Sequence, residues 1–287
     1  MTDTLPMPVT EPFTPAQRAT LFNLVRRAAN TEILPRFLNL NETDVSTKSG
    51  PTDLVTQADL AAEAMIARGL KTTFPNAVVV GEETSETDPY FRDKLAKAEL
   101  GFLIDPIDGT WNFANGLGCF ATMIAACRFG RPTFGLIFDP IARQISWADL
   151  DTRATRISAT GLIRQLTTNS DTPLNNLRGY IELSFMSPNH SKIAANKSLE
   201  LAQTSTLRCS AHQYRLLAEG AVDFNLAAKL SPWDHAAGSI LCQMAGGHSA
   251  MLDGTPYNMS KTDGYLLSAG SKSTWDMLAE HFCDLLA

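Results

Sequence analysis

No stretch of this chain carries eighteen consecutive uncharged apolar residues, and the first fifteen positions, rich in Thr and Pro, contain neither a basic nor an apolar segment. Neither a membrane span nor a secretory leader is therefore expected, and the expected location is the cytoplasm. Lysine and arginine never gather into a run, and the net charge is −6. Nucleic acid is thus not an expected partner, because nonspecific binding to it depends on neutralising phosphates. The five cysteines, Cys119, Cys127, Cys209, Cys242 and Cys283, are odd in number, widely spaced and never in a C-x-x-C pair. They indicate neither a disulfide framework nor a zinc site, and the five histidines show no ligand spacing. Repeats and low-complexity tracts are missing too. What remains is 287 residues with 44% hydrophobic and 19% charged content, the composition of an ordinary soluble enzyme with room for a large core.

Local patterns divide the chain into elements. Thr14-Pro15-Ala16-Gln17 has the cap, first-turn proline and glutamine of a helix start, and Leu21, Leu24, Val25 and Ala28 repeat at helical spacing, so a helix is predicted over 15–34. Residues 39–51 read as a polar loop. Thr56-x-x-Asp59 resembles a capping box for a second helix carrying Ala61, Ala64 and Met65; on local mechanics alone, Asp53 and Asp59 serve capping and solvation. Val78–Val80 is a short strand running into Gly81-Glu82-Glu83, with Glu83 expected in solvent. Further strands are predicted over 119–128, 133–138, 145–148, 180–185 and 222–226. Residues 149–176 look irregular, and a boundary near their end splits the chain into an N-terminal half, 1–176, and a C-terminal half, 177–287. Ser231-Pro232-Trp233-Asp234 opens a helix that Gly246-Gly247 stops, where an Asp is most often an N-cap.

The densest chemistry lies in Leu103-Ile104-Asp105-Pro106-Ile107-Asp108-Gly109-Thr110. An apolar run delivers two carboxylates three residues apart, and Pro106 is expected to end the strand so that both project from a turn. Gly109 and Thr110 then offer backbone N–H groups to an anion. Glu82 stands at the end of another strand, and ligands in open sheets collect at strand ends. If Glu82, Asp105, Asp108 and Asp234 converge, like charges raise one another's pKa unless divalent cations lie between them. An all-oxygen donor set suits Mg²⁺ or Mn²⁺. Two such ions activate a water and stabilise a leaving oxygen, which is the chemistry of phosphoryl hydrolysis.

The Asp105-Pro-Ile-Asp108-Gly109-Thr110-x-Asn112-Phe113 stretch and Trp233-Asp234-x-Ala-Ala-Gly with Ala245-Gly246-Gly247 resemble the two signatures of the inositol monophosphatase family. Asp53-Leu-Val-Thr56-x-Ala-Asp59 and Gly81-Glu82-Glu83 extend the resemblance in the family's order, over roughly 53–247. The resemblance implies an α-β-α-β-α sandwich with mixed sheets, the carbohydrate phosphatase fold of that family, and a homodimer. It also implies Mg²⁺-dependent, lithium-sensitive phosphomonoester hydrolysis by metal-activated water, with two or three Mg²⁺ per site and Mn²⁺ as a substitute. Glu82, Asp105, Asp108, Asp234 and the Ile107 carbonyl match metal ligands. Thr110 matches the hydroxyl that orients water together with Glu82, and Asp59 matches the partner of that threonine. Asp108, Gly109, Thr110, Ser210 and Asp234 match phosphate- and substrate-binding positions.

The match weakens where the alcohol is recognised. A glutamate that commonly lies seven residues before the second-signature Asp is Ala227 here, and where the preceding helix usually opens with Gly-Ser/Thr-Ala-Ala this chain has Arg208-Cys209-Ser210-Ala211-His212. Losing a hydroxyl acceptor weakens polyol recognition. His212, Arg215 and Lys229 are candidates for specificity, against ordinary readings as a packed histidine, a helix-face arginine and a solvated lysine. His235 is expected to point away from the metals, and Trp111 and Phe113 to pack the signature turn. The leading expectation is a phosphatase of a small alcohol phosphate, inositol 1-phosphate first. Histidinol phosphate, a sugar bisphosphate, or a noncatalytic role in binding metal or phosphate are the alternatives.

Overall fold

The computed structural model describes residues 13–287, apart from positions 51, 52, 86 and 171 and the side chains of residues 42 and 49. Helix α1 (Pro15–Ala28) starts as its capping box requires, with the Thr14 hydroxyl accepting from Gln17 N and the Gln17 side chain accepting from Thr14 N. It continues through one π-helical turn, Ala29–Ile33. The expected polar loop instead holds a strand, β1 (Val45–Gly50), hairpinned antiparallel to β2 (Asp53–Thr56), and helix α2 (Gln57–Thr73) follows directly. A seven-stranded sheet then forms in chain order from β3 (Val78–Gly81), β4 (Gly101–Asp108), β5 (Ala121–Arg128), β6 (Arg131–Asp139), β7 (Gln144–Asp149), β8 (Thr152–Ile157) and β9 (Ile163–Gln165). Only β3 and β4 pair in parallel. Residues 149–176 are therefore not irregular throughout: β8 and β9 complete this sheet. Their polar sequences borrow order by pairing, β8 on β7 and β9 on β8, since strand propensity is mostly a matter of the neighbouring surface.

Five further strands, β10 (Arg178–Ile181), β11 (Gln203–Ser205), β12 (Phe224–Ala227), β13 (His248–Met251) and β14 (Leu266–Ala269), form a mixed sheet in the order β11-β10-β12-β14-β13. The strand expected over 180–185 ends at Ile181, and Leu183–Phe185 is a 3-10 turn. Helices α1 and α2 cover one face of the large sheet through a core that includes Leu21, Ile66, Phe102 and Ile104. Two helices, Ser210–Ala218 and Pro232–Met244, fill the space between the sheets, with Tyr214, Ala237 and Ile240 packed on Met123 and Ile137. The helix Lys272–His281 closes the outer face of the small sheet through Trp275 and Leu278. The layering is α-β-α-β-α, as the resemblance implied.

Pro106 does not end β4. The strand runs to Asp108, and its register against β5 shifts between Asp105 and Asp108. A bulge is where a residue without an N–H is tolerated in a sheet. It also changes which way the side chains face. In a regular strand, residues three apart lie on opposite faces. Here Phe102, Ile104 and Ile107 all join the core under α1 and α2, so the phase slips by one and Asp108 falls on the same face as Asp105.

The Pro232–Met244 helix that carries Asp234 lies hard against β6. A Cβ on Gly135 would meet the Ala237 carbonyl oxygen at 2.3 Å and its Cα at 2.8 Å. Backbone atoms cannot swing aside, so Gly135→Ala is expected to destabilise the protein by about 2 kcal/mol or more. Urea unfolding checks this, and unchanged stability would show that the helix does not seat on this glycine.

Candidate active site

Asp105 is 1% exposed, and its Oδ1 has no hydrogen-bond partner among the described residues. Carboxylate oxygens of Glu82, Asp105 and Asp234 lie within 4.8 Å of one another. Glu82 comes from the short helix Glu82–Ser85 that follows β3, and Asp234 from the first turn of its helix, where Ser231 holds the N-cap position. The N-cap role is thus not Asp234's, which leaves its carboxylate available to the corner. Burial first, and then the charges of Glu82, Asp108 and Asp234, hold Asp105 well above the usual carboxylate range. Asp234 is raised for the same reasons, burial ahead of Glu82 and Asp108. Asp108 stands beside this trio, with Oδ2 accepting from Ala211 N and from Cys209 Sγ at 3.2 Å. Burial lifts Asp108 to about 6 against those donors and the Ser210 amide. Ser210, expected at the phosphate, accordingly spends its N–H on Asp108.

Lys48 reaches in from β1 to Glu82 Oε1 at 3.0 Å and Glu83 Oε2 at 2.7 Å. Glu83 is therefore buried in an ion pair rather than solvated. Burial alone would lower the Lys48 pKa, yet the two glutamates raise it above the ordinary value, so the ammonium is permanent. Glu63 on α2 fixes the other side: its carboxylate accepts from Glu83 N at 2.7 Å and Thr84 N at 3.1 Å. A Cβ on Gly81 would fall 2.0 Å from the Glu63 Cδ, so only glycine lets that carboxylate cap the turn bearing Glu82.

The Thr110 hydroxyl lies 3.2 Å from Asp59 Oδ1 and 2.9 Å from the Ile107 carbonyl. Asp59 caps α2 and also accepts from Thr56 N at 2.8 Å and the Thr56 hydroxyl at 2.5 Å. One residue thus closes a helix and touches the signature turn. Gly109 sits at φ +91°, and a Cβ there would meet the Cys119 oxygen at 2.8 Å. Asn112 staples the turn by donating to Cys119 O at 2.8 Å and Leu207 O at 2.9 Å. Phe113 packs on Phe37 and Phe120 as expected, whereas the Trp111 ring carries the Arg208 guanidinium at 4.1 Å.

Of the specificity candidates, His212 is buried with Nε2 donating to Phe120 O at 3.2 Å, and Arg215 pairs with Glu219 at 3.3 Å. Lys229 faces the Phe185 ring at 5.4 Å, and its charge is felt at Asp234. His235 points away as expected, its Nε2 donating to Lys229 O and its Nδ1 accepting from Tyr214. Glu182 and Lys48 escaped sequence reasoning, which reached Arg208 only as part of the segment where the family pattern breaks. Glu182, at the end of β10, accepts from Thr206 at 3.3 Å and Gln213 at 3.4 Å; burial raises its pKa while these donors, Lys229 and Arg208 oppose the rise. Arg208 has φ +53°, a backbone state unusual for a side-chain-bearing residue that Leu38, Phe129 and Arg143 share, and it is visible only once the chain is folded.

An orphaned buried oxygen, three converging carboxylates and an oxygen-only donor set fit a hard divalent cation. Without one, these groups hold protons that the unfolded chain releases. Asp59, raised by burial to about 7, and Asp105 are then protonated in the native state alone, so stability falls as pH rises. Buried His212 and His235 (about 4) act in the opposite sense, but only below about pH 6.5, where unfolded histidine takes up protons. Between pH 6.5 and about 7 the metal-free protein is therefore expected to lose stability at a rate on the order of 1 kcal/mol per pH unit for the Asp59 proton. Saturating Mg²⁺ flattens the slope. Chemical unfolding in chelator and in Mg²⁺ checks the sign, and equal slopes would contradict it.

A cation corner at strand ends, with a hydroxyl–carboxylate pair beside it, is the equipment of a cation-dependent hydrolase. The model of the "Inositol monophosphatase family" matches residues 15–287, and the chain belongs to that family. It is thereby a phosphoric monoester hydrolase of a superfamily that is typically Mg²⁺-dependent. Inositol-1-monophosphatase of Bacillus subtilis is 27% identical to it over 249 residues, covering 83% of this chain and 86% of that protein. Nus factor SuhB of Vibrio cholerae is 28% identical over 235 residues, 79% of this chain and 83% of its own. Among solved structures, inositol monophosphatase II of Staphylococcus aureus is alike in fold, with a TM-score of 0.78 over 95% of this chain and 97% of that one, at 23% identity. No helix among the described residues is long and apolar enough to cross a membrane.

Proposed function

We propose that this chain hydrolyses the phosphate monoester of a small polyhydroxy alcohol, with inositol 1-phosphate as the leading substrate. The observation that carries this reading is the buried Asp105 carboxylate, gathered with those of Glu82 and Asp234 and with one oxygen lacking a partner among the described residues, next to the Thr110–Asp59 pair. Glu82, Asp105, Asp108, Asp234 and the Ile107 carbonyl would hold Mg²⁺. When bound, the cations supply an acidified water and charge stabilisation for the leaving oxygen. Thr110 has one hydroxyl proton and two acceptors for it, Asp59 Oδ1 and Ile107 O. With Ile107 O serving as a cation ligand, that proton would go to Asp59, and the Thr110 oxygen would be left to accept from the attacking water while Glu82 would accept its other proton. Gly109 and Thr110 open a short helix whose first N–H groups lack intrahelical acceptors and suit the phosphate.

Ala227 leaves the usual hydroxyl acceptor missing, but Glu182 offers a carboxylate from the neighbouring strand end, which favours a polyol. Arg208 and Lys229, both felt electrostatically at Glu182, favour a second reading, a sugar bisphosphate whose other phosphate meets these cations. A panel of inositol 1-phosphate, histidinol phosphate and sugar bisphosphates with Mg²⁺ separates these. The highest kcat/KM is expected on inositol 1-phosphate. Inactivity there with turnover of a bisphosphate would install the second reading, and no phosphate release from any ester would leave a binding role.

A further inference from the structure

Ninety positions apart in sequence, Cys119 and Cys209 are neighbours in the fold. The glycine of the signature turn lies between them: a Cβ on Gly109 would touch the Cys119 oxygen at 2.8 Å and the Cys209 Cβ at 3.2 Å. The two sulfurs and a ring nitrogen of His212 lie within 4.8 Å of one another. We propose that Cys119, Cys209 and His212 form a second metal site, built for a thiophilic divalent cation such as Zn²⁺ and set against the carboxylate corner. The sequence spacing gave no hint of it, because the three ligands come from a loop before β5 and from the start of the Ser210–Ala218 helix.

Donor chemistry separates the two sites. Thiolate and imidazole select zinc-like ions, whereas the oxygen corner selects Mg²⁺. Zinc–ligand bonds of about 2.0–2.3 Å put tetrahedral donors roughly 3.3–3.8 Å apart, so donors already within 4.8 Å of one another need to contract by at most about 1.5 Å. Cys209 and His212 are buried and already held, while half-buried Cys119 gives the ion its way in. The His212 ring is oriented by Phe120 O at 3.2 Å and Arg215 Nε at 3.2 Å. The cation takes the place of one of these contacts. Arg215 retains Glu219 at 3.3 Å, and a backbone carbonyl on the remaining ring N–H is the usual support of a metal-bound histidine. Asp108 Oδ2 is 3.2 Å from Cys209 Sγ and Asp139 Oδ2 is 4.0 Å from His212 Nε2, while Arg215 Nε lies 3.2 Å from His212 Nδ1.

Binding converts two thiols to thiolates and releases two protons to solvent, leaving the dication and its sulfur ligands neutral together. The Cys209 S–H no longer donates to Asp108, whose Oδ2 is placed to become the fourth ligand. Asp108 then belongs to both sites, so zinc occupancy opposes Mg²⁺ at the corner.

Co²⁺ titration of the reduced protein in saturating Mg²⁺ tests the site by absorbance, independently of substrate. A thiolate-to-cobalt charge-transfer band is expected at one equivalent, displaced by Zn²⁺, lost in Cys119→Ser and in His212→Asn, and kept in Asp234→Asn. Circular dichroism confirms that each variant is folded, and the two separate variants guard against one failing to fold. Zn²⁺ is further expected to raise the Mg²⁺ concentration for half-maximal turnover by about tenfold in the wild type and not in Cys119→Ser, a usual size for coupling between sites. No band in the reduced wild type, or a band that survives Cys119→Ser, overturns the proposal. So does a Cys119–Cys209 disulfide in the isolated protein with no band after reduction, which would make the pair a redox device instead.

Discussion

Asp105→Asn is expected to remove turnover and, in the same molecule, to raise the unfolding temperature of the metal-free protein. The two effects share one cause. Asp105 is buried with Oδ1 unpartnered and is surrounded by Glu82, Asp108 and Asp234, so its charge is tolerable only with a cation in front of it. Asn keeps the shape, loses the charge, and offers an N–H₂ to the neighbouring carboxylates. Without a cation the native state must take up a proton at Asp105 that the unfolded chain releases, and escaping that uptake is worth on the order of 1–3 kcal/mol near neutral pH. In a chain of this size it appears as a rise of several degrees. The same exchange deletes a cation ligand, and kcat is expected to fall by about a thousandfold or more, roughly 4 kcal/mol of transition-state stabilisation. Stabilisation of the fold by added Mg²⁺, which follows from ligand linkage, should shrink in parallel. Thermal melts with and without Mg²⁺, beside steady-state kinetics, check all three. A variant that melts lower without metal, or keeps turnover within tenfold, would show that Asp105 is a structural carboxylate.

The part of the site that the sequence disclosed is the part written within single segments. Asp105 and Asp108 were legible because an apolar run precedes them, and Glu82 and Asp234 because each sits at the end or start of a recognisable element in a known order. How Asp105 and Asp108 come to share a face was not legible. Three-residue spacing in a strand predicts opposite faces, and only the bulge at Pro106 and Ile107 reverses that. Lys48 was hidden for another reason. Its hairpin looks like a polar loop, since Ser, Thr and Lys make a strand only when β2 pairs with it, and the partners Glu82 and Glu83 are more than thirty positions away. Strands β8 and β9 were missed likewise, being polar strands that order only by pairing, β8 on β7 and β9 on β8. Glu182, Arg208 and the Cys119–Cys209 pair are long-range juxtapositions, for which no periodicity or capping rule leaves a local trace.

Thr110→Ala is the most demanding test of the water-positioning role. The hydroxyl contributes little to the fold: its loss costs about 1 kcal/mol of hydrogen bonding at the start of a short helix. Its contribution to turnover should be much larger, because an oriented proton acceptor beside the nucleophile is worth about a hundred- to ten-thousandfold. The expected result is a fall of that size in kcat with nearly unchanged KM and melting temperature, and substantial recovery in Thr110→Ser, which restores the hydroxyl. Asp59→Asn should reproduce part of the loss, since Asp59 accepts from the Thr110 hydroxyl at 3.2 Å. If Asp59 acts only through that hydroxyl, the double variant is no slower than Thr110→Ala alone, and the two losses do not add. Additive losses would mean that Asp59 contributes to catalysis by a second route, such as the charge that its pKa of about 7 allows it to gain or lose near neutrality. Unchanged kcat in Thr110→Ala would instead leave Glu82 as the sole protein group orienting the water, and the Thr110–Asp59 bond as no more than the seam between α2 and the signature turn.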